Sequence, residues 1–204
     1  TGAYEEKIPG TLVSFTMVKV PAGKVKVGDK EVEVKSFWIE RTETTWDEFD
    51  IFAFKLDLTE KEKVEVADAK SRPSNPYGAP DRGYGHHQYP AISLTYHSAQ
   101  EYCKWLSAKT GKKYRLPTEA EWQYACQASS AEPTEKAKVA WYDENADDKI
   151  HPVAKKEPNA WGLYDMIGNA GEWCTDLQGK GVLCGGMFLD AAEDIGSARR
   201  AYYQ

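Results

Sequence analysis

Apolar positions follow two different spacings along the chain, and each spacing predicts a different kind of element. Residues 12–41 alternate between apolar and polar side chains and are predicted to form short strands. Within them, residues 24–27 and 31–34 flank a turn that begins at Gly28, which is typical of a hairpin. The sequence therefore predicts an antiparallel N-terminal sheet.

Helical spacing replaces this alternation in the middle of the chain. Residues 46–56 carry apolar side chains at helical spacing, and a capping-box pattern begins at Thr45. Residues 97–109 are predicted to form a second helix that stops at Gly111. A second capping-box pattern begins at Thr118 and predicts the start of a third helix there.

The remaining segments carry little regular pattern. Residues 57–90 are polar and rich in Pro, Gly, Asn and Tyr, which predicts a long ordered loop of the kind that often carries recognition. After Cys126 only short, glycine-punctuated aromatic segments follow. Two or three helices among short antiparallel strands and long loops indicate an irregular α+β fold. With 204 residues, the chain is expected to be a single domain, residues 1–204.

Composition narrows the classes of partner. The chain is 41% hydrophobic and 28% charged, as is usual for a globular domain. Its 32 acidic and 26 basic residues give a net charge of −6 without any basic block, so nucleic acid is not an expected partner. No apolar run reaches the roughly 20 residues that a membrane-spanning helix needs. We therefore expect no membrane-spanning segment, and composition leaves the oligomeric state open.

The four cysteines have no spacing typical of a zinc site or a disulfide scaffold. Cys174 and Cys184 lie on either side of a turn at residues 179–181, so a disulfide, a metal role or two half-buried thiols all stay open. Cysteine usage does not indicate a compartment.

Two long motifs carry a resemblance to a known family. Residues 114–126 (YRLPTEAEWQYAC) and residues 158–173 (PNAWGLYDMIGNAGEW) are similar to two signatures of the formylglycine-generating-enzyme, or sulfatase-modifying-factor, family. Shorter matches lie at residues 17–23, 37–45, 90–93, 99–105 and 184–186. The resemblance covers residues 13–200 and implies a C-type-lectin-like variant of the α+β fold.

Active members of this family use copper held by two cysteines, whose sulfur atoms suit Cu(I). The resemblance places these two positions at Asp190 and Ile195, and Met187 stands where the family has Ser. No cysteine follows Cys184 in this sequence, so no copper is expected. Cys103 and Cys126 match positions that some members join to later cysteines, which are absent here. We expect packed thiols at these two positions, although a bond between them stays open.

Iron is also not expected. Members that work with iron take most of its ligands from a separate His-rich domain, and this chain has only 4 His residues.

Structural calcium is the cofactor that the resemblance implies. Family members hold calcium beside the second motif with backbone carbonyls and a Glu, which corresponds here to Ile167, Asn169, Ala170 and Glu172. The alternative is a Glu that caps neighbouring amides without metal. A second implied site contains Asn145 and Asp147, although an acidic run of this kind is more often a solvated loop.

The predicted ligand groove contains Trp161, Met187, Asp190 and Asp194. Gly171 replaces a family Trp and is expected to open space beside this groove. The resemblance further implies a location outside the cytoplasm, in the periplasm or at the cell surface. Relatives continue beyond the position of Gln204 to a closing strand, which we expect this chain to lack.

Three functions remain open at this stage. The first is a non-catalytic binding or scaffolding module that recognises a protein or glycan partner and is stabilised by calcium. The second is an enzyme, related to the formylglycine-generating oxidase or to the sulfoxide synthases, with an altered active site. The third is a structural subunit of a surface or envelope assembly. No catalytic residue is predicted.

Overall fold

A computed structural model describes residues 2–65, 80–128 and 133–202. Its strands are β1 Ala3–Lys7, β2 Ser14–Val20, β3 Gly23–Val27, β4 Lys30–Val34, β5 Phe37–Glu40, β6 Glu172–Thr175, β7 Gly181–Gly185 and β8 Gly196–Ala201. Its helices are α1 Trp46–Ala53, α2 Glu60–Glu65, α3 Tyr96–Thr110, α4 Glu119–Gln127 and α5 Lys136–Val139. The described residues thus form an α+β fold with short antiparallel strands, and the predicted fold class is confirmed.

The N-terminal sheet has the strand order β1-β2-β5, and both of its pairings are antiparallel. The predicted strand region began at residue 12, so β1 was not predicted. Its sequence AYEEK buries only Glu6 and carries no alternation of apolar and polar side chains. Pairing with β2 therefore creates this strand, and local pattern does not.

The predicted hairpin is confirmed as the two-stranded sheet β3-β4, with Val25 opposite Val32. Val25 and Val34 are buried in a core cluster together with Trp122 and Ala125 of α4. The third sheet has the order β6-β7-β8 and packs against the same helix. Helix α4 therefore lies between two small sheets and holds them together.

Capping explains where the longer helices begin and end. Capping boxes start α1 at Thr45 and α4 at Thr118, as predicted, and Thr95 caps α3. Helix α3 ends at Gly111, whose φ of 69° is the left-handed conformation that glycine adopts freely. Helix α1 stops at Ala53, earlier than the predicted residue 56.

Two short helices add to the predicted two or three. Helix α2 lies inside the predicted loop of residues 57–90, where Thr59 and Glu62 exchange capping hydrogen bonds. The sequence of α2, EKEKVE, has no apolar stripe, so periodicity alone did not indicate a helix. Residues 66–79 of that predicted loop lie outside the described residues.

Two hydrophobic clusters cover the two faces of the N-terminal sheet. One joins Phe15 and Met17 of β2 to the aromatic residues of α1 and α3. The other joins Val18 and Val20 of β2 to α4 and to the C-terminal sheet. The side chains of β2 alternate between these two clusters. The strand order places β5 at one edge of the sheet, where it lines a groove.

Candidate functional site

A groove of about 1400 Å³ runs along β5 and is the candidate functional site. Four parts of the chain form its walls: β5, residues 90–106 with the start of α3, residues 112–117, and residues 169–173 with 183–189. Most of its lining is apolar or aromatic. An apolar concave surface with a few polar groups is the usual form of a binding site in proteins.

The strand β5 presents an aromatic residue and a carboxyl group to this groove. The Trp38 side chain is 42% exposed and packs edge to face against Tyr4, with ring centroids 4.8 Å apart. Glu40 also lines the groove, but its Oε1 atom is shielded from water. The rim of the groove is therefore aromatic, while its floor is acidic.

Glu40 and Glu48 form a carboxyl pair beneath the floor. Thr44 donates to Glu40 Oε2 at 3.0 Å, and the Thr45 amide donates to Glu48 Oε1 at 3.1 Å. Glu40 Oε1 and Glu48 Oε2 are both buried without a hydrogen-bond partner among the described residues, and each carboxyl group affects the pKa of the other. Burial raises the pKa of both groups, and the charge of Glu48 raises the pKa of Glu40 further.

A second acidic group lies under the turn that joins the groove to β6. Glu43 accepts hydrogen bonds from the Asn169 side chain at 3.2 Å and from the Ala170 amide at 2.9 Å. Burial raises the pKa of Glu172 to about 8, against the effect of the hydrogen bond that Trp122 Nε1 donates at 2.9 Å. Burial also raises the pKa of Asp165 to about 6. Among the described residues, none of these carboxyl groups forms an ion pair.

The structure brings only one of the four predicted ligand-binding residues into the groove. Met187 lines the groove, next to Phe188. Asp190 instead caps its own turn, because its Oδ2 accepts from the Met187 amide at 3.0 Å. Asp194 is exposed, and Trp161 packs edge to face against Tyr124 of a core cluster. Asp190, Asp194 and Trp161 are not among the residues that line the groove.

Ile195 occupies a hydrophobic cluster with Ala140, Tyr142 and Ile167 and is 2% exposed. The chain approaches it closely at Gly186, which has φ 83° and where an added Cβ would lie 2.7 Å from Ile195 Cγ2. The resemblance assigns thiolate positions to Asp190 and Ile195. In this chain one of these positions caps a turn and the other is buried among apolar side chains.

The four predicted calcium ligands lie together in one turn, and two of them have their oxygens free for a cation. Asn169 is fully buried, and its side-chain oxygen already accepts from the His151 amide at 3.0 Å, while its carbonyl accepts from Phe188. Within the described part of the chain, no hydrogen bond reaches the carbonyl oxygens of Ile167 or Ala170. Glu172 follows in the same stretch with a carboxyl group, which suits a hard cation in type. Within the described residues, however, no group of three or more His, Cys, Asp or Glu side chains that could hold a metal ion is found.

The predicted second calcium site has a different structure. Asn145 Oδ1 accepts from the Tyr142 amide at 2.9 Å, and its Nδ2 donates to the Ala140 carbonyl at 3.1 Å. Asp147 is exposed and has φ 53°. Asn145 therefore closes a turn, and the described residues contain no group of three or more His, Cys, Asp or Glu side chains here that could hold a metal ion.

The four cysteines are free thiols. Cys174 and Cys184 are fully buried on neighbouring strands, and their thiols contact each other. Cys103 lines the groove, but burial raises its pKa to about 12, so it is a thiol at neutral pH. Cys126 is half-buried against the Met166 carbonyl. The alternative of packed thiols, left open by the sequence, describes these positions.

Sequence reasoning missed the acidic floor. Glu40, Glu43, Glu48 and Asp165 were not predicted as site residues, and Tyr102, whose buried hydroxyl has no hydrogen-bond partner in the described residues, was placed only on a helix stripe. One signal was available at Glu40, a carboxylate that directly follows the apolar run FWI at the end of a strand. No helix in the described ranges is long and apolar enough to cross a membrane.

Comparison with known proteins adds an independent finding. Residues 10–204 match the family model for the sulfatase-modifying factor enzyme 1-like domain. A serine/threonine-protein kinase pkn1 of Chlamydia pneumoniae is 37% identical over 47% of this chain and 15% of that protein. A formylglycine-generating enzyme of Streptomyces coelicolor is 32% identical over 50% of this chain and 36% of that protein. The chain thus covers well under two thirds of the length of these relatives.

A solved structure shares the fold over nearly the whole chain. Treponema denticola variable protein 1 superimposes with a TM-score of 0.76 at 22% identity, covering 98% of this chain and 92% of that one. At this identity the likeness shows the fold and leaves the function to be argued from the groove.

Proposed function

The chain belongs to the family of sulfatase-modifying factor enzyme 1-like domains, and on that premise we propose that it is a non-catalytic recognition or scaffolding module. Its groove holds a protein or glycan partner, and its place of action is outside the cytoplasm. The observation that carries this proposal is the environment of the two positions that the family resemblance assigns to the copper-binding cysteines. A turn-capping Asp190 and a buried Ile195 offer no sulfur ligand there.

The groove itself supports binding. Its volume of about 1400 Å³ exceeds the roughly 300–1,000 Å³ of typical small-molecule pockets, which favours an extended ligand. The exposed Trp38 and the half-buried Trp173 lie on its walls, and aromatic side chains of this kind dominate the binding energy of many interfaces.

A groove-filling variant tests this function. An added Cβ at Gly171 would meet Leu183 at 3.6 Å, an ordinary contact, so Gly171→Trp is expected to fold and to place its indole ring in the groove. The matched control is Leu12→Trp, which adds the same side chain at a position that is 95% exposed and outside the groove.

The measurement is capture of partners from native extract and binding to a glycan array, with each purified variant. We expect wild type and Leu12→Trp to bind the same partner and Gly171→Trp to lose it. Equal capture by all three proteins would argue against the groove. Separate localisation of the full-length protein by cell fractionation tests the place of action.

Calcium is proposed at the turn around Glu172, held by this carboxyl group and the carbonyls of Ile167 and Ala170, with Asn169 shaping the turn. Asp165 supports the site, because its Oδ1 is buried without a hydrogen-bond partner among the described residues and its charge acts on Glu172. A bound cation would stabilise the wall of the groove. The site at Asn145 and Asp147 stays a prediction from the sequence.

Thermal unfolding with calcium, magnesium or chelator tests this part. Calcium at about 100 times its dissociation constant would stabilise the fold by about 2.7 kcal/mol. We expect Glu172→Gln, which keeps the acceptor for Trp122, to lose this gain. An identical shift in wild type and Glu172→Gln would place any calcium elsewhere.

An enzyme with an altered active site is the second candidate. The observation that favours it is the set of enclosed carboxyl groups with raised pKa values along the groove, since such shifts gather at active sites. Copper or iron bound in stoichiometric amounts, together with turnover that Gly171→Trp abolishes, would favour this candidate over the first.

A further inference from the structure

The strand β5 forms one edge of the N-terminal sheet, and its hydrogen-bond pattern can be derived from the pairing with β2. The Arg41 amide donates to the Thr16 carbonyl at 2.8 Å, directly after the end of β5. Hydrogen-bonded pairs alternate along an antiparallel ladder, so Ile39 and Phe37 also face β2. The amide and carbonyl groups of Trp38 and Glu40 must then point away from β2, toward the open edge.

This open edge lies in the groove. Trp38 and Glu40 both line it, and no hydrogen bond to their main-chain groups is found in the described part of the chain. The two residues are separated by about 7 Å along the strand, the repeat at which an extended peptide presents its own amide and carbonyl groups. An unpaired edge of this kind is a template for pairing with another chain.

The opposite edge of the same sheet is built differently. On β1, the Gly2 carbonyl accepts from the Lys19 amide at 2.9 Å, so Ala3, Glu5 and Lys7 present the outward main-chain groups. Glu5 and Lys7 carry exposed charges, the usual protection of a sheet edge, and neither lines the groove. The β1 edge is therefore protected by exposed charged side chains, while the β5 edge lies between the apolar walls of the groove.

We propose that the open edge of β5 binds an extended segment of a partner protein, which adds to the sheet as a fourth strand beside Trp38 and Glu40. This inference rests on the proposed binding function and specifies its occupant. Alternating main-chain donors and acceptors match a peptide backbone, and they have no counterpart in a chain of sugars. The apolar walls of the groove receive the side chains of every second residue of the peptide.

Amide hydrogen exchange in the free protein tests the open edge before any ligand is known. The Trp38 and Glu40 amides are expected to exchange quickly, and the Ile39 amide slowly. Slow exchange at Trp38 in the free protein would mean that the edge is already paired, and it would overturn the proposal. This measurement is independent of the proposed function.

A library of random linear peptides is then panned against the wild-type protein, with Gly171→Trp as the counter-selection. An enriched peptide is synthesised with a methyl group on one amide nitrogen at a time. Methylation of alternate amides is expected to weaken binding about tenfold, since it leaves a buried carbonyl unpaired, and methylation of the intervening amides is expected to be tolerated. A tolerance that does not alternate would contradict the added strand.

Two proline variants provide a matched pair on the protein side. Trp38→Pro and Glu5→Pro each remove one outward amide from an edge strand of the same sheet, where proline is compatible with the fold. We expect Trp38→Pro to bind the selected peptide at least about tenfold more weakly and Glu5→Pro to bind it as wild type does. Trp38→Ala, which keeps the amide, separates the loss of the ring from the loss of the donor. Circular dichroism checks that each variant folds.

The outcomes separate this inference from the function on which it rests. If partner capture depends on Gly171 but not on the Trp38 amide, the binding module stands and the added strand is wrong. If a glycan binds and no peptide is enriched, the binding module again stands, and the proposed peptide occupant is wrong. If capture depends on neither position, both proposals fall.

Discussion

The carboxylates on α4 and those on the groove floor are neutralised in opposite ways. Glu119 on α4 accepts from Arg200 at 3.3 Å, and Glu121 accepts two hydrogen bonds from Arg115, at 2.7 and 2.8 Å. On the groove floor, Glu40 and Glu48 have no cation among the described residues, and burial raises the pKa of both carboxyl groups instead.

The difference separates carboxyl groups that are paired with a cation of this chain from carboxyl groups that are buried without one. A carboxylate of an ion pair on α4 already has its cation within the chain, so it needs no partner from a ligand. A carboxyl group that is buried without a cation destabilises the folded state whenever it ionises. Groups of this kind commonly lie at functional sites, where a ligand supplies the missing partner. Three predictions test the two arrangements.

The largest effect is expected at the buried pair of Glu119 and Arg200, whose side chains are only 8% and 13% exposed. Arg200→Leu leaves Glu119 charged without its partner and should lower the free energy of unfolding by about 3–5 kcal/mol. Urea denaturation at neutral pH measures this loss.

The double variant Arg200→Leu with Glu119→Leu is the control. Removing both charges should recover most of the stability, because buried ion pairs gain little over apolar groups of similar size. If the double variant is as unstable as the single one, lost packing rather than an unpaired charge explains the result.

A pH effect of intermediate size is expected at the groove floor. Burial raises the pKa of both Glu40 and Glu48 above the usual 4.5, so the folded state holds a proton that the unfolded chain releases. The stability contributed by this pair is therefore fully present below about pH 4.5. It falls as the pH rises toward the raised pKa values, by up to about 1.4 kcal/mol per pH unit for one proton.

Glu48→Gln should flatten this profile. Its amide oxygen can accept from Thr45, and its amide nitrogen can donate to Glu40 at every pH. We expect the variant to be about 1–3 kcal/mol more stable than wild type at pH 8 and equal to it at pH 5, by thermal or urea unfolding. Parallel profiles for the two proteins would refute a raised pKa at this pair.

Glu121→Gln is the matched control, because the pKa of Glu121 is lowered where those of Glu40 and Glu48 are raised, and the pH dependence therefore runs in the opposite direction. Burial would raise the pKa of Glu121, but the hydrogen bonds from Arg115 outweigh it and lower the pKa. The stability that this pair contributes is present above the usual pKa and is lost as the pH falls through the lowered one. Wild type should therefore exceed Glu121→Gln at neutral pH, and the two should converge in acid.

The framework was largely predictable from the sequence, because its signals are local. The capping boxes at Thr45 and Thr118 each span four residues and predict the helix that follows. The turn at Gly28 and the residues on either side of it predict the hairpin. The strand β1 was missed because its pairing with β2, and not a pattern within its own five residues, creates it. The strand propensity of these five residues alone does not indicate their pairing with β2.

The groove floor could not be predicted for the same reason. Its carboxyl groups come from β5, α1, the turn at Asp165 and β6, so no spacing along the chain reveals that they meet. The family resemblance pointed to Glu172 as a candidate calcium ligand, and it assigned Ile195 to the position of a copper-binding cysteine. It also pointed to Asp194 and Trp161, which the structure places away from the groove. The proposed calcium site stays a prediction until it is measured.

The smallest effect is expected at Arg115, whose side chain is 52% exposed. Arg115→Met should cost only about 0.2–1 kcal/mol, since water already solvates much of the charge, and the Thr118 amide still donates to Glu121 at 2.8 Å. About 1 M salt should remove this difference from wild type in urea unfolding, because exposed charges are screened over a few ångströms. The loss in Arg200→Leu should persist in the same salt, because buried pairs are screened much less. Equal salt sensitivity of the two losses would mean that burial does not separate these ion pairs, and the framework would then hold both by the same weak attraction.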